Sequence, residues 1–174
     1  MLKNTVKVSL IAVLSAVGIA LRTVAVPVAY SVQLTPGMVA PILSGILLGL
    51  WPGLTTGLVI GVYAAIFSGE FWLIPLIGNL CLGLGPGLVT AIMHKEEKTK
   101  FKIGLYLLSS AIIGGFIPTF GVMSLIIPGA VTIAFISGAI DLTNALIASI
   151  IAVLIWSMIR GKIREIEIDD NLKF

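Results

Sequence analysis

Three formally charged side chains stand inside long apolar stretches: Arg22, Glu70 and Asp141. Between residues 8 and 93 only Arg22 and Glu70 are Asp, Glu, Lys, Arg or His, and between 103 and 159 only Asp141 is. A charge near the middle of a membrane helix costs on the order of 2.5–3.5 kcal/mol on insertion scales, so it is normally paired or functional. Arg22 supplies +1 and Glu70 with Asp141 supplies −2, which leaves one carboxylate without a fixed counter-charge. That carboxylate must be protonated, solvated or bound to a ligand, and a water-accessible pocket allows all three. Polar partners recur around it: Ser137, Asp141 and Asn144 fall on one helical face, and Trp72, Pro75, Asn79 and Gly83 on another. Tyr30, Ser31 and Gln33 add a polar loop. The bland alternative pairs Arg22 with one carboxylate, sets Glu70 at the headgroup level and lets the other polar groups bond neighbouring backbone.

Catalytic chemistry has little to stand on. His94 is the only histidine and falls in a charged loop, so no Ser-His dyad forms within the apolar stretches. Ile136-Ser137-Gly138 lacks the preceding glycine of a nucleophile turn, and the glycines at 83, 85 and 87 are followed by no GK[ST] phosphate cradle. Cys81 has no second cysteine to pair with, and one Cys with one His makes no metal site. No enzyme, cofactor or metal is expected.

The elements that must position these residues follow from composition. Of the 174 residues 58% are hydrophobic and only 11% charged, with a mean hydropathy of +1.14, which excludes a soluble catalytic domain and a nucleic-acid-binding module. A bilayer core of roughly 30 Å needs about 20 apolar helical residues, which places a first span at 6–26, ended by Pro27. The stretch 36–68 would be roughly 48 Å long as one helix, too long for one crossing. Trp51-Pro52-Gly53 is the expected turn, giving short spans 37–50 and 53–67 sheltered by longer neighbours. Further spans are expected at 71–93, with Pro75 and Pro86 bending it, at 103–118 and at 131–159.

Six spans make a single all-α membrane domain with both termini and the 94–102 loop on one side. All of the 11 Lys and Arg residues except Arg22 then share that side, which the positive-inside rule makes cytoplasmic, in the plasma membrane of the cell. Arg22, Glu70 and Asp141 fall in the outer half. Lys3 and Lys7 before an apolar run suggest a signal peptide, but the run continues into Arg22 and Pro27 with no small-residue cleavage site, so an uncleaved first span is expected. Ala12, Ala16 and Ala20 stack on one face of that span and would let another helix approach closely, within the chain or from a partner. Gly45, Gly49, Gly53, Gly57 and Gly61 continue the spacing through the hairpin of spans two and three, where internal packing suffices to explain them.

The opening VSLIAVLSAVGIALRTVAVPV, the segment PILSGILLGLWPGLTTGLVIGVY and the six-span layout together resemble the substrate-binding S-components of energy-coupling factor (ECF) vitamin transporters. The resemblance implies that Ala12, Ala16 and Ala20 dock on a transmembrane coupling protein, itself joined to ATPase subunits. It also implies a substrate site in the outer half, roofed by the loop after span one and lined by Gln33, Trp72, Asn79, Asp141 and Asn144, beside the charged Arg22 and Glu70. Signatures of biotin, cobalt or nickel members are missing. An uncompensated carboxylate with Asn79 and Asn144 favours a small heterocycle offering N–H donors or positive charge, such as a thiamine-related pyrimidine or a purine-like base. Two other classes fit the residues: a self-contained carrier or channel using Asp141 as a proton or cation relay, and a non-transporting membrane scaffold.

Overall fold

The computed structural model describes residues 4–29, 32–69, 71–93, 99–127, 129 and 131–171, the side chains of 27–29, 32, 99 and 161–171 excepted. Tyr30, Ser31, Glu70 and residues 94–98 of the charged loop lie outside the described residues. The described chain is all-α apart from one short hairpin. Its order is α1 (Asn4–Arg22), β1 (Val26–Ala29), β2 (Val32–Leu34), a 3-10 turn (Pro36–Met38), α2 (Val39–Leu48), α3 (Leu50–Phe67), α4 (Leu73–Ile92), α5 (Thr99–Ser109), a π segment (Ser110–Phe116), α6 (Ile117–Ile126) and α7 (Val131–Asn171). The last pieces of the fifth rod run on without a break, so that 5 helical stretches are long and apolar enough to cross a membrane and a shorter apolar one, Pro36–Leu48, accompanies them.

That short helix is the centre of the bundle. Every residue from Val39 to Ile46 is buried, and Ile42 is completely so. Its apolar side chains form one core with Leu82 of α4, Tyr106 of α5 and Ala145, Ala148 and Ala152 of α7. Enclosure by longer helices is what allows so short an element to sit in an apolar environment. Its start is capped locally. Thr35 is extended and its hydroxyl accepts from the Gly37 amide at 3.1 Å, while Pro36 supplies a fixed φ where no amide is needed.

Sequence-expected boundaries shift where proline and glycine act differently from expectation. The turn between α2 and α3 falls at Gly49 (φ 94°), a left-handed conformation only glycine adopts freely, and not at Trp51-Pro52-Gly53. Trp51 and Pro52 instead open α3, where a missing amide costs nothing. Pro75 likewise lies in the first turn of α4, and Pro86 lies within that helix. The first helix stops at Arg22 rather than at 26, and residues expected to form a polar loop pair as an antiparallel hairpin, Val26 opposite Leu34 and Pro27 opposite Gln33. The fifth rod does not stop at Pro118. In a regular helix its ring would strike the carbonyl of residue 114; here the wider π turn precedes it, and Pro118 enters the first turn of α6.

The glycine seam packs as expected at four of its five positions. A Cβ on Gly45 would stand 2.7 Å from the Gly83 carbonyl oxygen, on Gly53 2.6 Å from that same atom, and on Gly61 3.0 Å from the Leu76 carbonyl oxygen; one on Gly57 would overlap the backbone of Asn79. Gly49 meets nothing and serves the turn instead.

Candidate functional site

At the hairpin end of the bundle, side chains from α1, β2, α4, the π segment, α6 and α7 enclose a cavity of about 20 Å³. Arg22, Gln33, Asn79, Thr119 and Asp141 supply its polar lining, and Met38, Ile74 and Leu82 are among its apolar walls. A space this small holds about one water molecule.

Asp141 is reached through backbone contact. A Cβ on Gly115 would lie 2.6 Å from the Asp141 carbonyl oxygen, so the absence of a side chain lets the π segment touch α7. Four residues further on, Thr119 lies over the same region and donates its hydroxyl hydrogen bond to the Asp141 carboxylate. Both side chains are buried. A buried carboxylate gains most from a donor where little water reaches it, since a low dielectric strengthens the bond that replaces hydration.

Asn79 is only 2% exposed and donates from Nδ2 to the Pro75 carbonyl at 2.6 Å. That bond fixes the amide, because turning it over would set two acceptors face to face. Its Oδ1 therefore points away as an acceptor and has no hydrogen-bond partner among the described residues. Buried acceptors of this kind are uncommon and call for water or ligand.

The hairpin is tied over these groups from two sides. Gln33 donates from Nε2 to the Ser68 carbonyl at 2.7 Å, and Asn144 of α7 donates from Nδ2 to the Gln33 carbonyl at 3.1 Å. Arg22, in the last turn of α1, brings a buried guanidinium to the lining. Of the residues singled out in the sequence, Arg22, Gln33, Asn79 and Asp141 thus converge, with Asn144 holding the roof. Ser137 is buried on the α7 face of Asp141 without lining the cavity. Trp72 is not brought to it: the residue precedes α4, is 52% exposed and sets its ring against Phe71. Trp72 is in the αR conformation at the start of α4 and its carbonyl accepts from the Leu76 amide at 3.4 Å, so it keeps the helical register, yet it lies outside the cavity lining. Ala12, Ala16 and Ala20 are all exposed along α1. Thr119 lies outside the residues the sequence singles out, because Pro118 reads as the end of a span; a lone hydroxyl in an apolar stretch is the available signal.

The sequence from 6 to 164 matches the family described as ECF transporter, substrate-specific component. The chain belongs to that family. As an ECF substrate-specific component it is a multi-pass membrane subunit that binds a substrate for transport, not an enzyme, and membership implies partner subunits of an ECF module in the membrane. A solved structure described as the S component of a bacterial ECF transporter has a similar fold: TM-score 0.69 at 17% identity, covering 92% of this chain and 99% of that one. Among curated protein sequences none matches this chain.

Proposed function

We propose that this ECF substrate-specific component captures a vitamin or related small heterocycle from outside the cell and passes it inward when a partner module hydrolyses ATP. Its six helical rods each cross the plasma membrane in this reading, with both termini and the 94–102 loop cytoplasmic, where ten of the basic residues would gather. The cavity under the hairpin then faces outward. Arg22, Gln33, Asn79 and Asp141 contact the substrate, and Asn144 steadies the roof.

The observation that carries the reading is the buried Asn79 Oδ1 without a hydrogen-bond partner among the described residues, in a residue that lines the same cavity as Asp141. An acceptor buried without a partner costs about 1–3 kcal/mol, which a ligand donor would recover. Ligand pockets typically measure about 300–1,000 Å³, far more than the 20 Å³ present, so substrate entry displaces the roof. Hydrogen bonds from Gln33 Nε2 to the Ser68 carbonyl and from Asn144 Nδ2 to the Gln33 carbonyl help to hold that roof.

The partner face in this reading is the exposed row Ala12, Ala16 and Ala20 on α1, the least buried of the long helices at 11%. Small side chains there would let a coupling helix approach backbone to backbone. Purifying the chain from its native host and identifying what comes with it tests the whole proposal. A bound small heterocycle together with a coupling protein and ATPase subunits is the expected result; a chain recovered with neither would overturn it.

A further inference from the structure

We infer that Thr119 is a positioning residue for substrate selection, and that it and Asn79 restrict the ligand to one presenting two N–H donors on a single planar edge, as in an amidine or an amino-substituted nitrogen heterocycle. The inference rests on the proposed substrate-binding role and narrows it to a chemical class.

The argument begins with what each group can still accept. Thr119 donates to Asp141, which uses one acceptor position of the carboxylate and stops it from rotating about its own axis. A carboxylate held in one plane offers its remaining lone pairs in fixed directions. Asn79 is fixed as well, by its bond to Pro75, with Oδ1 unpartnered. Two acceptors, each already held by one hydrogen bond, therefore line the same cavity of about 20 Å³, and the inference is that one rigid ligand edge meets both. A ligand offering one donor satisfies only one of them and leaves the other buried and unpaired, which sites built for hydrogen bonding reject strongly. A ligand edge made of acceptors is repelled by both. Arg22 lines the same cavity and would draw such a ligand, so the choice between donor and acceptor edges is a real one.

The geometry also explains the π segment. Its extra residue per turn and Gly115 bring the segment against the Asp141 backbone, and Thr119 follows one turn later at the carboxylate. Isolated π turns at functional sites commonly re-aim a side chain in this way.

Three probes of similar size separate the possibilities on the full chain in lipid nanodiscs, read by calorimetric titration. 2-Aminobenzimidazole presents two donors on one edge, benzimidazole one donor and one acceptor, and benzoate acceptors only. Wild type should bind 2-aminobenzimidazole at least about tenfold more tightly than benzimidazole, with benzoate weakest, as expected for one further charge-assisted hydrogen bond. Thr119→Val should shrink that ratio severalfold, and Thr119→Ser, which keeps the hydroxyl, should restore it. A merely structural threonine would alter binding of the probes alike and leave the ratio in place. The inference is overturned if folded wild type binds none of the probes, shows no preference between the two benzimidazoles or prefers benzoate, or if Thr119→Val keeps the wild-type ratio. Those wild-type results suffice even if Thr119→Val fails to fold. Should they occur while ECF partner subunits still co-purify, the donor-edge inference falls and the import proposal stands.

Discussion

Replacing Gly53 with alanine should destabilise the bundle out of proportion to one methyl group. The added Cβ would stand 2.6 Å from the Gly83 carbonyl oxygen, 2.9 Å from the Gly45 Cα and 3.2 Å from the Gly45 amide nitrogen. All three atoms are backbone, so no flexible side chain can swing aside. Non-bonded carbon contacts are comfortable at about 3.5–4.0 Å, so α3 has to retreat by about 1 Å where α2, α3 and α4 meet. Overpacking of this kind costs about 1–3 kcal/mol. Gly104→Ala is the matched control, because a Cβ there meets nothing within 4 Å and alanine gains about 1 kcal/mol of helix propensity. Both glycines are helical, so that gain is common to the two variants, which should differ by about 1–3 kcal/mol in reversible unfolding from mixed micelles. Gly53 does not line the cavity, so the folded fraction should keep its ligand affinity. Equal stability of the two variants would refute the view that helix contact at this seam is set by backbone approach.

Other expectations concern the partner, the orientation and the roof. Ala16→Leu adds bulk to the exposed face of α1 and should reduce co-purification with coupling and ATPase subunits while leaving ligand titration unchanged; undiminished co-purification would show that this face is not the docking surface. In a Cys81→Ser background, Thr99→Cys should resist membrane-impermeant thiol reagents in intact cells, and labelling from outside would invert the proposed topology. Gln33→Ala removes the bond to the Ser68 carbonyl, so the hairpin should open more readily, with ligand release accelerated several-fold in stopped-flow; an unchanged off-rate would mean that the hairpin does not gate the cavity.

Much of this architecture was legible because charge and apolar length are strong, local signals. The distribution of lysine and arginine separated the rods, and the excess length of 36–68 required a fold-back that the structure contains. Arg22, Asn79 and Asp141 stood out because a polar side chain in an apolar run has few reasons to be there, and they do converge. What escaped depended on backbone detail. Gly49 and Trp51-Pro52-Gly53 offer equally good turns in one dimension; only the close packing of Gly53 on Gly45 and Gly83 decides that it belongs inside a helix. Pro118 reads as a terminator unless a π turn absorbs it, and Thr119 was lost with it. Trp72 shares a helical face with Asn79, but a shared face does not say how far along the helix the cavity extends. The hairpin of β1 and β2 left little trace, since strands this short are held by tertiary bonds such as Asn144 to Gln33 rather than by their own pattern.

The central claim is that a ligand is held at the Asp141 carboxylate, and the affinity of Asp141→Asn protein for the small molecule that co-purifies with wild type tests it most directly. The substitution keeps the shape of the side chain and removes the charge that a ligand donor would meet. Losing one charge-assisted hydrogen bond should weaken binding by roughly 1.5–3 kcal/mol, about ten- to a hundred-fold. Wild-type affinity in calorimetric titration of the Asp141→Asn protein would contradict the account and return Asp141 to a structural role.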